Sequence, residues 1–404
     1  MARDGAATEG PITAEMRAAA EALGWDDGLL DRALDYGYSP RTLVSALGTK
    51  LAPSQAKSFL DREPLKPDLS WMDAPTEWGV RAEQADPEMG LTVGDILVGS
   101  YGEIPELWTD RTEIARGSNP QEGQEDMGYT IFEKAVVWAD SVSDLYERAI
   151  RDRWAPATDL GWRSLEALPD DIEHAICQVM TEHSERAYAE ATVLGRWLPE
   201  VSYGYLEMKL FMGSVIYDLA RHAEAFRKRA LSNGGGLGLQ APTDLIRGAS
   251  EARTYPELMA YLFVQDSAFL TFFRHAGDIA QNQLERDLYA LVASDRERLM
   301  EYHVDRFDAF LKAMPDRRLE QQRYLAKAEV RLAREWDDPA VREPLLLLLG
   351  GSRDNAAEGE AALHALRRRQ VEEYLGHLDS VGFIRSRLHS GLAAYLEDPE
   401  EASA

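Results

Sequence analysis

The sequence predicts an all-α protein built on a bundle of four long helices, with additional N-terminal and C-terminal helices. Three observations carry that expectation. Four stretches, about Asp170 to Leu198, Tyr205 to Leu231, Tyr255 to Leu291 and Leu288 to Ala313, repeat apolar residues at helical spacing, the last two continuous or kinked near Gly277. A polar connection from Ser232 to Ala252, containing Gly234, Gly235, Gly236 and Gly238, separates the second stretch from the third, as a crossover between two helical hairpins would. The frame Asp218-x-x-Arg221 returns as Asp295-x-x-Arg298, at matching places in the second and fourth stretches.

Taken in order, residues 1–65 read as a small helical module, punctuated by Gly24, by Gly37 to Pro40 and by Ala52 to Ser54. Leu29, Leu30, Leu43, Val44, Leu47 and Phe59 would form its core. Residues 66–128 mix prolines and glycines with unperiodic aromatics (Trp71, Trp78, Tyr101, Trp108), the composition of an irregular segment wrapped on a larger domain and anchored by its rings. The main domain, residues 129–315, opens with an amphipathic stretch through Ala135, Val136, Trp138, Val142, Leu145 and Ile150. Trp154-Ala155-Pro156 and Leu168-Pro169 then punctuate the entry to the first long helix. Residues 316–404 supply further helices, a short buried one at Leu345 to Leu349 among them, and an acidic tail that frays.

Bulk chemistry narrows the function classes. Seventy acidic against 44 basic residues give a formal net charge of −26, which opposes nucleic acid and anionic membrane surfaces as partners. No apolar run approaches the ~20 residues of a membrane-spanning helix, the N-terminus lacks a signal-peptide core, and one cysteine, Cys177, forms no internal disulfide. A soluble cytoplasmic protein is expected. Cys177 has no evident basic activator and reads as an inert buried thiol. The glycine run lacks the Gly-Lys-Ser/Thr ending of a phosphate loop. Glu173-His174 and Glu182-His183 are neighbours in sequence, expected to face different sides of a helix.

Dimetal sites in helical bundles use a carboxylate from each of two helices and a Glu-x-x-His pair from each of the other two. Residues three apart share a helix face and can present a carboxylate oxygen and an imidazole nitrogen to one ion. Asp218-Leu219-Ala220-Arg221-His222 reads like the D-E-x-R-H stretch of such proteins with leucine at the liganding glutamate, and Asp295-Arg296-Glu297-Arg298-Leu299 repeats it with arginine and leucine at both ligands. With Trp154-x-Pro156-x-x-Asp159-Leu160-x-Trp162 and the glycine-rich crossover, these segments resemble the ferritin-like di-iron carboxylate oxidases and oxygenases, related to the ribonucleotide reductase small chain, over roughly Trp154 to Ala313.

The resemblance implies where ligands would fall. The first-helix carboxylate is Glu185 or Glu190; the second helix keeps His222 without its glutamate; the third offers Asp266; the fourth offers none. Leu219, Arg296 and Leu299, with Asp218 and Asp295 beside them, then make a pseudo-site in which Arg296 pairs with Asp266 and Glu185 or Glu190. The favoured expectation is a non-catalytic structural or regulatory homologue of a di-iron oxygenase, without cofactor, pairing with itself or with a ferritin-like relative. One alternative is an active oxidase or oxygenase with a rearranged iron or manganese site drawn from Glu185, Glu190, His222, Asp266 and His303, acting on a small organic substrate. His303 is read as partly exposed, and Tyr188 or Tyr217 as a redox neighbour. Another is a bundle that binds an apolar ligand in its emptied interior.

Overall fold

The computed structural model describes residues 14–22, 24–35, 69–73, 77–118, 123–239 and 251–397. The chain divides into two compact units, Met1–Pro75 and Thr76–Ala404. In the first unit, helices α1 (Ala14–Ala22) and α2 (Asp27–Asp35) bury Ala20, Trp25, Leu29 and Leu30. Leu43, Val44, Leu47 and Phe59 lie outside the described residues.

In the second unit, residues 77–118 and 123–133 are almost entirely irregular, and the described residues contain isolated β-bridges (Leu107 with Glu133, Ile131 with Val201) but no named strand. The expectation that the aromatics anchor this segment fails at Trp78, which is 96% exposed. Trp108 does pack against the core, and Arg116 anchors the segment further: its buried guanidinium donates to Glu207 at 2.7 and 3.0 Å and lies over the Tyr101 ring. The amphipathic stretch that follows is broken. Lys134–Val137 forms a single turn, and the helix proper is α3 (Val142–Arg151), whose Ile150 faces outward.

Four long helices follow: α4 (Asp170–Trp197), α5 (Leu206–Ser232), α6 (Tyr255–His275) and α7 (Gln283–Ala313). The third and fourth are not continuous. A 3₁₀ turn at Ala276–Asp278 ends one, and Asn282 starts the other by accepting from the Glu285 N–H at 3.0 Å while donating to the Glu285 carboxylate at 2.8 Å, a reciprocal cap. The start near Leu288 expected from apolar spacing is therefore five residues late, because a polar first turn carries no apolar signal. On the crossover, a Cβ at Gly235 would lie within 2.3 Å of Cys177 Sγ, so only glycine lets this chain cross α4 so closely.

Behind the bundle, α8 (Arg318–Trp336) and α10 (Glu360–Ser380) pack on α6, and α9 (Pro339–Gly350), which buries Leu345, Leu346 and Leu348, packs on α4. α6 buries nearly every position, and α4 buries most of Ala175–Glu190. That places the adjacent residues Glu182 and His183 both inside, their side chains 2.7 Å apart rather than on separate faces, with four phenylalanine rings around the imidazole. Among the described residues no helix is long and apolar enough to cross a membrane.

Candidate functional site: a buried arginine and carboxylate interior

Three of the four long helices, α4, α6 and α7, place polar side chains at the middle of the bundle. Arg296, on α7, is 3% exposed, and its Nη1 donates to Glu190 on α4 and Asp266 on α6, each at 2.8 Å. His303, two turns further along α7, donates from Nε2 to the second Asp266 oxygen at 2.8 Å. It is fully buried, not partly exposed as its sequence context suggests. Leu219 and Leu299 are also buried and join the same apolar cluster.

Glu185 is not part of this arrangement. It is partly exposed on the outer side of α4, where Arg227 holds it at 3.1 Å. Five residues separate it from Glu190, roughly 500° of helix rotation, so the two cannot share a face.

A second network lies alongside, between α5 and α7. Arg221 pairs with Asp218 on its own helix and reaches Asp295 at 3.2 Å; Arg298 pairs with Asp295 on its own helix and reaches Asp218 at 3.1 Å. The repeated Asp-x-x-Arg frame thus becomes a reciprocal brace in which each repeat completes the other. Asp295 Oδ2 also accepts from Trp154 Nε1 at 2.9 Å and His222 Nε2 at 2.8 Å, and the Trp154 and His222 rings stack. Despite its burial, His222 and the two arginines hold the Asp295 carboxyl down at about 2, whereas burial and the neighbouring Asp295 charge raise that of Asp218. Trp154→Phe removes one buried donor to a charged acceptor. A loss of about 1–3 kcal/mol is expected in chemical denaturation, and no change would mean that water replaces the indole.

Electrostatics explains why the cluster tolerates burial. Burial lowers the affinity of His222 and His303 for a second proton, against the opposing pull of Asp295 and Asp266. One guanidinium balances one carboxylate. Burial, against the opposing pull of Arg296, raises Glu190 to about 7, with Asp266 adding to the rise. A group whose folded value is raised contributes stability below its unfolded value, and that contribution is lost as pH rises through the folded value. For Glu190 the window runs from 4.5 to about 7. Wild type should therefore lose stability relative to Glu190→Gln as pH rises across that window. A flat difference in denaturation free energy would show that Glu190 is ionised throughout.

These residues do not fit a dimetal centre. Of the positions that the resemblance would assign to ligands, two are alkyl and a third is a cation bonded to both nearby carboxylates, and both imidazoles already donate Nε2–H to aspartates. Among the described residues, no three His, Cys, Asp or Glu side chains are placed to hold one ion. Sequence inspection missed a further buried triad: Arg229, wholly enclosed, donates to Glu173 at 2.7 and 3.0 Å and to Glu285 at 2.7 Å. Its only signal was an arginine in line with the apolar face of α5.

No protein-family model and no curated protein matches the chain. Among solved structures it is similar to a point mutant of an R2-like ligand-binding oxidase with an aerobically reconstituted Mn/Fe cofactor, at 15% identity and a TM-score of 0.41, over 61% of this chain and 95% of that one.

Proposed function

We propose that this chain is a ferritin-like bundle whose dimetal site has been replaced by a tethered cation, and that it serves as a non-catalytic structural or regulatory subunit, paired with a second copy or with a metal-bearing relative. The observation that supports this reading is Arg296 Nη1 at 2.8 Å from carboxylates on two different helices, where a bridging cation would sit. The guanidinium supplies positive charge to Glu190 and Asp266 but cannot exchange ligands, change oxidation state or polarise a substrate. Leu219 and Leu299 fill with alkyl volume the places where further ligands would stand. The Asp218, Arg221, Asp295 and Arg298 brace is what an outer shell of such a site becomes when it is kept for its cohesion.

Elemental analysis of protein expressed with excess iron and manganese tests this. No stoichiometric metal is expected in wild type. About two metal ions per chain, lost on His222→Ala, would restore the oxidase reading and end this one.

A further inference from the structure

At one end of the bundle, away from Arg296, two adjoining clefts of about 450 and 410 Å³ share Thr130, Trp197 and Arg253 as walls. They lie between residues 130–136, the C-terminal turn of α4 and the start of α6. In a chain of net charge −26, cationic side chains are normally matched by acids. Here they are not: Arg196 and Arg253 line the first cleft, and neither forms an ion pair with a carboxylate among the described residues. Glu257, whose carboxylate accepts from the Arg253 backbone N–H at 3.0 Å, pairs through its other oxygen with Lys327 at 2.7 Å.

Behind the second cleft lies a further unmatched cation. Arg306 is wholly buried and donates to the carbonyl of Val136, a residue that lines the cleft, at 3.2 Å, while its Nε and Nη2 have no hydrogen-bond partner among the described residues. Tyr255, another lining residue, approaches Trp197 with ring centroids 6.1 Å apart, which gives the cleft an aromatic wall.

We infer that this end cleft is a binding site for a small organic monocarboxylate with an aromatic body, its carboxylate on Arg196 and Arg253 and its ring on Trp197. A forked guanidinium matches a carboxylate in shape as well as charge, and the flat indole supplies apolar contact. The single negative charge follows from the two acids that also line the clefts. Glu200 accepts from Thr130 at 2.6 Å, and Glu133 lies near Arg317, which pairs with Glu320. A dianion such as phosphate would meet their repulsion, whereas a monoanion can be met by the two arginines, which pair with no carboxylate among the described residues.

The test uses the full chain, isothermal titration with benzoate, its neutral isostere benzamide and inorganic phosphate, and the double variant Arg196→Ala/Arg253→Ala. Both arginines are exposed, so the variant should keep the wild-type melting temperature. Benzoate should bind saturably at one site, at least tenfold more weakly in the double variant, and phosphate more weakly than benzoate. Benzamide should give no saturable heat, and Trp197→Phe should remove the benzoate-dependent change in tryptophan fluorescence. The site is refuted if benzoate shows no saturable binding at millimolar concentration, if benzamide or phosphate binds as well as benzoate, or if the double variant binds unchanged. None of those outcomes bears on Arg296, whose metal-free reading stands or falls on elemental analysis.

Discussion

Arg296→Leu is expected to destabilise the protein by about 3–5 kcal/mol, the cost of leaving buried carboxylates without their counter-charge. Glu190 and Asp266 are both buried, and among the described residues Arg296 is the one arginine that hydrogen-bonds to either. Leucine fits the volume, so lost charge balance rather than a cavity dominates. The distinction can be measured. If charge is the cause, adding Glu190→Gln and Asp266→Asn to Arg296→Leu should recover most of the loss, because neutral amides need no counter-ion, and the cycle should show strong coupling. Independent, additive losses in denaturant titrations would mean that Arg296 is held by packing alone, and the tethered-cation argument would lose its physical basis.

Arg229→Met is the second large effect, again about 3–5 kcal/mol by the same mechanism. Burial alone would weaken the charge on this side chain, but the hydrogen bonds to Glu173 and the field of Glu285 raise its proton affinity well above that of free arginine. The triad ties α4 and α7 to α5 near the crossover, and Asn233 also donates to Glu173 at 2.9 Å. Removing the guanidinium leaves two buried acids, which must then take up protons. The loss should therefore shrink as pH is lowered towards 4, where both can be protonated at little cost. A loss independent of pH would point to packing instead. Unlike Arg296, Arg229 occupies no place where a metal ligand is expected, so the pair separates general cohesion of this interior from the fate of the site.

Much of the architecture was legible because helix length and amphipathicity are local properties. The four long segments, the crossover and the short leucine helix all carry period or punctuation in the chain. The break between α6 and α7 falls at the expected Gly277, but the start of α7 lies ahead of Leu288 because it is set by a polar cap at Asn282 and Glu285, invisible to a search for apolar spacing. The internal repeat was legible as a pattern, but its meaning was not: that Asp218 and Asp295 exchange arginines depends on two helices meeting face to face.

The site divides in the same way. Residue identity alone determined that Leu219, Arg296 and Leu299 cannot ligate a metal ion, since alkyl and guanidinium groups offer no lone pair for it. Which carboxylate faces Arg296, whether His303 is inside, and whether Glu182 and His183 can meet were decided by tertiary structure. Glu185 and Glu190 differ by little in sequence pattern on α4, a helix covered on both sides by other elements, where burial no longer marks a single face. Only the rotation of α4 against α6 and α7 sends one into the interior and the other to Arg227 at the surface.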